Sequence, residues 1–240
     1  MKLSDNEKIR YNRHIILPEI GEDGQKKLKV AKVLVVGAGG LGSPVLTYLT
    51  AAGVGTIGIV EKDTVELSNL QRQILYSSSD IGKSKVDTAK ERLVALNPEV
   101  KIITFETWLT EENAEKIIRD FDIVVDCPDN FSTRILVSDI TKKLMIPHVY
   151  GSISKFEGHV AVFNYKNGPS YRDLFSEEPD DKIVDSDPSA KGVMGVLPGV
   201  IGTLQANETI KIITGLGEIL SGKLLVFNTL NLSSYIVDIC

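Results

Sequence analysis

Cysteine is scarce in this chain of 240 residues: there are only Cys127 and Cys240, and neither belongs to a Cys-x-x-Cys pair. A disulfide framework or a tetrathiolate zinc site needs more thiols than that, so the count excludes both. Long apolar runs are also missing. No stretch reaches the roughly 18 apolar residues of a membrane span, and Met1-Lys2-Leu3-Ser4-Asp5 lacks the apolar segment of a secretory signal. The Asn-x-Ser/Thr matches at Asn130, Asn207 and Asn231 are then chance occurrences, and a cytoplasmic chain is expected. Nor is positive charge in excess. The 27 Lys and Arg are outnumbered by 32 Asp and Glu, for a net charge of -5. A broad nucleic-acid footprint is not expected, although local basic pockets are compatible with that balance.

What is present is an alternation of two hydrophobic periods. Ser4 and Glu7 form a capping-box pattern that opens a helix of about a dozen residues, closed by Pro18. Apolar, β-branched runs at 31–36, 56–61, 100–107 and 123–127 read as strands, with another starting at 147–150. Helical patterns fall between them at 42–52, 83–96, 111–119 and 131–144. This order predicts an α/β fold: a Rossmann-like, doubly wound, mostly parallel sheet. From Gly158 the character changes, and strands at 158–165, 224–227 and 234–239 predict an antiparallel C-terminal extension beside a last long helix at 195–214. Residues 166–192 carry little periodic apolar content, and a loop of that length inside a compact domain is functional or disordered. We read one domain, 1–240: a helical arm over 1–30, a nucleotide-binding core over 31–157, and a crossover loop with a C-terminal part over 158–240.

The chemistry begins at Gly37-Ala38-Gly39-Gly40-Leu41-Gly42, directly after the apolar run ending at Val36. Gly37 permits a tight turn, Gly39 lets the backbone approach a phosphate, and Gly42 lets the helix pack on the strand. Glu61, about 20 residues on and at the end of the second strand, falls where a carboxylate meets a ribose hydroxyl, with Asp63 close behind. That much suits NAD as well as ATP. Asn69, Arg72 and Lys85 discriminate, together with Asp129 after the strand at 123–127. The cations neutralise phosphate charge as it redistributes, and Asp129 can hold Mg²⁺, a hard cation that favours carboxylate and water. Hydride transfer needs no such cluster.

The stretches Gly37-Ala38-Gly39-Gly40-Leu41-Gly42-Ser43, Ser68-Asn69-Leu70-Gln71-Arg72-Gln73, Lys85 and Asp126-Cys127-Pro128-Asp129-Asn130 resemble the ThiF/MoeB/HesA family, bacterial relatives of the ubiquitin-activating enzymes. Tyr11-Asn12-Arg13-His14 and Gly192-Val193-Met194-Gly195 are similar to it as well. The resemblance implies an adenylyltransferase. Such an enzyme uses Mg-ATP to adenylate the C-terminal Gly-Gly carboxylate of a small ubiquitin-like sulfur-carrier protein and releases pyrophosphate. By the same resemblance, Gly37, Gly39, Gly40 and Gly42 cradle ATP, and Glu61 or Asp63 holds the ribose. Asn69, Arg72 and Lys85 contact phosphates, and Asp129 the metal. The family is homodimeric, which makes Arg13 an arginine finger acting on the partner subunit's triphosphate, and 166–192 a loop crossing over the carrier's tail.

Departures from the family carry their own expectations. Ser170 and Asp173 stand where many relatives have a Cys-x-x-Cys pair, so a structural zinc is expected to be absent. No cysteine lies shortly before Gly192, so adenylation alone is expected, with sulfur from a separate donor. Cys127 reads as a small core residue, and Glu61 replaces a family aspartate. Three other readings compete. The substrate could be another carboxylate, on a peptide or a modified tRNA nucleoside. The chain could be an NAD-binding oxidoreductase, for which His14, His148 and His159 lack a triad or dyad context. Or it could be a non-catalytic binding protein that kept the fold.

Overall fold

Residues 2–175 and 192–239 are described by a computed structural model of the chain. Its strands are β1 (Lys32–Val36), β2 (Thr56–Val60), β3 (Lys101–Phe105), β4 (Ile123–Asp126), β5 (His148–Ser154), β6 (Glu157–Phe163), β7 (Lys223–Asn228) and β8 (Ser233–Asp238). They form one 8-stranded sheet in the order β3-β2-β1-β4-β5-β6-β7-β8. Pairing is parallel from β3 to β5 and antiparallel from β5 to β8. This is the predicted doubly wound sheet with its antiparallel extension.

The central strands read as unbroken apolar runs because both faces are covered. Successive side chains of a strand point to opposite faces. Val33 and Val35 therefore join a core with Leu46 and Leu49 of α4 (Gly42–Ala52), Leu93 of α5 (Lys85–Leu96) and Ile201 of the long helix Leu197–Thr214. Leu34 and Val36 face the other way, onto Ile118 of the helix Ala114–Ile118 and Val137 of the helix Phe131–Leu144. A smaller aromatic cluster of Tyr150, Phe163 and Tyr171 fills the space beneath the antiparallel part.

The N-terminal arm differs from expectation. Instead of one helix there are two, α1 (Asp5–Arg10) and α2 (Asn12–Ile15), followed by α3 (Gly21–Val30). Ser4 and Glu7 do close the capping box, with Ser4 N donating to Glu7 Oε2 at 2.7 Å. The break falls at Tyr11, which is buried and accepts a hydrogen bond from Asn97 Nδ2 at 2.8 Å. Its ring lies so close to Gly53 that a Cβ there would come within 2.4 Å of it. This tertiary anchor overrides local helix propensity. Of the expected crossover loop, Tyr165–Asn167 forms a 3₁₀ turn and Tyr171–Leu174 a short helix; residues 176–191 lie outside the described part.

One carboxylate sets an acid sensitivity. Asp80 accepts hydrogen bonds from Ser77 N and Oγ, Lys83 and Arg92. The Ser77 hydroxyl, ahead of burial acting in the opposite sense and of the other donors, holds its pKa well below the ordinary carboxylate range. A group depressed in the folded state stabilises fully above its unfolded pKa of about 4 and loses that contribution as pH falls towards the folded value. Asp80→Asn is therefore expected to lower the neutral-pH urea midpoint and to flatten the loss of stability below about pH 4. Parallel acid titrations of the two proteins, followed by circular dichroism, check this.

Candidate active site at the switch point of the sheet

The strand order reverses between β1 and β4. The connection after β1 leads to α4 on one face of the sheet, and that after β4 leads to α7 (Phe131–Leu144; α6 is Ala114–Ile118) on the other. Open α/β sheets bind ligands in the crevice outside the carboxyl ends of strands at such a point. The turn after β1 is built for close approach. Gly37 has φ +94, and a Cβ on it would sit 2.8 Å from Cys127 O at the end of β4. A Cβ on Gly42 would lie 2.1 Å from Gly37 O. Gly40 is less crowded, with Pro198 Cβ at 3.2 Å from the equivalent point, and Gly39 meets only ordinary contacts. The first and last glycines are therefore demanded by the protein's own packing, whereas the face of Gly39 is left clear. The start of α4 has no side-chain cap, which leaves its dipole to any anion in the crevice.

A second layer holds this turn. Glu61, 7% exposed, accepts from Ala38 N at 3.0 Å through one oxygen, and from Lys62 N and Asp63 N at 2.8 and 2.9 Å through the other. Of the two oxygens, the one that accepts from Ala38 N keeps lone-pair capacity beyond its bond. Tyr76 donates to Ala38 O at 2.8 Å, and burial, ahead of the nearby Glu61 and Asp63 charges, raises its phenol pKa, so it stays a donor. Sequence reading did not single out Tyr76; nothing in its spacing announces a contact to a turn so far back in the chain.

The phosphate candidates gather on the same side. Asn69 closes the 3₁₀ turn Leu67–Asn69, and its Oδ1 is buried without a hydrogen-bond partner. Gln73, one turn on, is in the same condition at Oε1, and its Nε2 lies 3.5 Å from the clear side of Gly39. Buried amide oxygens without partners are costly, which argues that a donor or water belongs there. Arg72 packs its Cγ 3.6 Å from the Cβ position on Gly40 and spends one guanidinium nitrogen on Ser68 O at 3.1 Å. Lys85 opens α5 and is buried, with its ammonium 3.0 Å from the Asp63 carboxylate. Asp129 is exposed in the turn after β4, and its carboxylate has no partner among the described residues.

Beneath Asp129 lies a buried polar group that the sequence did not announce. Asp126 at the end of β4 is fully buried, 3.6 Å from Arg134 Nε and 3.5 Å from His148 Nε2. Arg134 also donates to Pro128 O at 2.9 Å and Gly151 O at 3.0 Å, and lies over the Tyr150 ring. Burial opposes its charge, but Asp126 and the tyrosines outweigh it and raise its pKa.

Other expectations resolve as follows. Arg13 is exposed on α2, and no contact joins it to the crevice residues of its own chain. Cys127 is a buried free thiol whose pKa is pushed up by burial, in keeping with a small core residue. Ser170 and Asp173 form a capping box, with Asp173 Oδ2 accepting from Ser170 N and Oγ at 2.6 and 2.7 Å. The histidines are not as isolated as the sequence suggested. His148 lies beside Asp126, and His159 is 3.1 Å from Glu157 and 3.5 Å from Ser152, its cross-strand neighbour. No helix among the described residues is long and apolar enough to cross a membrane. No cluster of three or more His, Cys, Asp or Glu suited to a metal occurs among them either.

The fold and crevice define a doubly wound α/β protein with an open crevice at the switch point of its sheet. The ThiF family pattern matches residues 11–239, and the chain belongs to that family. It is 49% identical over 238 residues to a sulfur carrier protein adenylyltransferase of Thermus thermophilus, covering 97% of this chain and 88% of that protein. It is 51% identical over 227 residues to the adenylyltransferase and sulfurtransferase MOCS3 of Culex quinquefasciatus, covering 95% of this chain and 52% of that one. The chain spans only about 60% of several such relatives. Among solved structures, E. coli MccB with ATP superimposes with a TM-score of 0.85 at 24% identity, over 98% of this chain and 72% of that one, a likeness of fold.

The glycine geometry gives a direct test. Gly42→Ala drives a Cβ into backbone that cannot swing aside, and is expected to cost about 1–3 kcal/mol by urea denaturation. Gly39→Ala is expected to leave stability within about 0.5 kcal/mol, since a Cβ there meets only the end of the Gln73 side chain at ordinary contact distance.

Proposed function

We propose that this chain is a single adenylation domain. It joins the C-terminal Gly-Gly carboxylate of a ubiquitin-like sulfur-carrier protein to AMP and leaves sulfur delivery to a separate donor. A carboxylate oxygen of the carrier attacks the α-phosphorus of ATP, the bond from that phosphorus to the bridging oxygen of pyrophosphate breaks, and acyl-adenylate and pyrophosphate result. The names of the relatives support adenylation of a sulfur carrier. The observation that carries the reading is the free Asp129 carboxylate at the switch point, on the same crevice as Arg72, Lys85 and the unpartnered amide oxygens of Asn69 and Gln73. Mg²⁺ arriving with ATP fits a site with one carboxylate, because it keeps most of its waters and takes the rest of its ligands from phosphate. Bound there, it would supply neutralisation of the charge that develops on the leaving pyrophosphate.

The chain's own residues divide the remaining work. Gly39 and the start of α4 receive phosphate oxygens. Arg72 and Lys85 balance their charge, Lys85 being pre-aimed by Asp63. Glu61 or Asp63 holds the ribose. Arg13 of the partner subunit completes the site in a homodimer. An open groove of about 820 Å³ beside Arg72, lined by Ile74, Met194, Val196 and Leu204, supports a neighbouring subunit there. Leu230, Leu232, Tyr235 and Ile236, exposed on and before β8, offer an apolar surface for the carrier. The cysteine-poor composition is in keeping with a cytoplasmic setting.

Carrier-dependent ATP–pyrophosphate exchange tests the assignment. Asp129→Ala is expected to reduce exchange about a hundredfold or more while leaving the fold intact; unchanged exchange sinks the metal role. Arg13→Ala and Lys85→Ala are each expected to be inactive. Mixed as equal dimers, they should recover about a quarter of wild-type exchange, since half the dimers are mixed and each has one complete site. No recovery in a mixture shown to contain heterodimers argues against Arg13 acting in trans.

A further inference from the structure

Asp129 stands in a turn whose backbone is held on both sides of it. Before it, Cys127 N donates to Val36 O at 2.9 Å and the Cys127 thiol reaches Gln205 Oε1. After it, Asn130 caps α7, with Oδ1 accepting from Thr133 N at 2.8 Å. Between these two anchors, among the described residues, the only carbonyl held by a side chain is Pro128 O, and the donor is Arg134 Nη2 at 2.9 Å. The other terminal nitrogen of the same guanidinium donates to Gly151 O on β5 at 3.0 Å. Its Nε faces Asp126 Oδ2, and Tyr150 lies under its plane at 4.8 Å. One planar group thus links the end of β4, the turn after it and the neighbouring strand.

We propose that Arg134 is the positioning residue of the site, a clamp that ties Pro128 O to Gly151 O and so fixes Asp129 at the mouth of the crevice. The proposal rests on the reading of Asp129 as the residue that meets the metal of Mg-ATP. Burying a charge pair such as Arg134–Asp126 is expensive and is seldom a route to stability alone. A neutral donor would satisfy one carbonyl. A rigid fork is needed to hold two carbonyls on different segments at once, and lysine cannot reproduce it. The effect is to fix the backbone while leaving the Asp129 carboxylate free, as preorganisation of a ligand requires.

The discriminating variant is Arg134→Lys, which keeps a cation beside Asp126 but reaches one carbonyl only. If it fails to fold, the charge-neutral pair Asp126→Asn with Arg134→Gln takes its place. Two measurements are made on the full chain. The first is amide hydrogen exchange without nucleotide, expected to quicken at Thr133, whose amide is held by Asn130 Oδ1, and to stay unchanged at Ser43, whose amide is held by Gly39 O. The second is the ratio of ATP affinity in Mg²⁺ to that in EDTA, by calorimetry, expected to fall about tenfold while metal-free affinity holds. Exchange at Thr133 equal to wild type overturns the clamp. Faster exchange with an unchanged affinity ratio also overturns the proposal, because Arg134 is then purely structural. If wild type itself binds ATP equally with and without Mg²⁺, the metal reading of Asp129 fails, and hydrogen exchange alone still decides whether Arg134 holds the turn.

Discussion

The approach of Gly37 to the carbonyl of Cys127 is the constraint on which the rest of the site depends. It exists because β1 and β4 are neighbours although far apart in the chain, and because no side chain stands between their ends. A Cβ at Gly37 would push the two turns apart. The glycine turn, the Asp129 turn and the start of α4 would then no longer share one crevice. The parallel register of β1 with β2 and β4 sets the strand ends level, so that Glu61, Gly37 and Cys127 follow three adjacent strands.

Around that contact the structure separates groups that are satisfied from groups that are not. Glu61, Tyr76, Gln205 and Arg134 spend their hydrogen bonds on backbone, and each holds one of the turns in place. Among the described residues, Asn69 Oδ1 and Gln73 Oε1 are buried without a hydrogen-bond partner, and the exposed Asp129 carboxylate has none either. Leaving such groups unmatched lowers stability, and the loss is tolerated where a ligand completes them. The antiparallel half of the sheet has a different task. It closes the aromatic cluster over Arg134 on one side and exposes β8 on the other.

Much of the fold was legible because both periods were clear. The apolar runs of β1, β2 and β4 and the helix Phe131–Leu144 appear nearly as their patterns predict. The glycines were legible through their chemistry, and Gly37 and Gly42 have the geometry it demands. The family resemblance rested on short motifs, and the ThiF match bears it out. The N-terminal arm was misjudged because the pull on Tyr11 comes from Asn97 and Gly53, which no local pattern reveals. The same holds for Arg134. On the sequence it is one basic residue on an amphipathic helix, and only the pairing of β4 with β5 brings Pro128, Gly151 and Tyr150 around it. His159 gained partners through an antiparallel register that composition cannot supply.

The most direct test of the account is mass spectrometry of the product. A Gly-Gly-ended sulfur carrier is incubated with the chain, ATP and Mg²⁺, and the intact carrier is weighed before hydrolysis. The account predicts a carrier enlarged by one AMP, on the terminal carboxylate, and none when the last glycine is removed. A carrier of unchanged mass, from a chain that demonstrably binds ATP and the carrier, would contradict it.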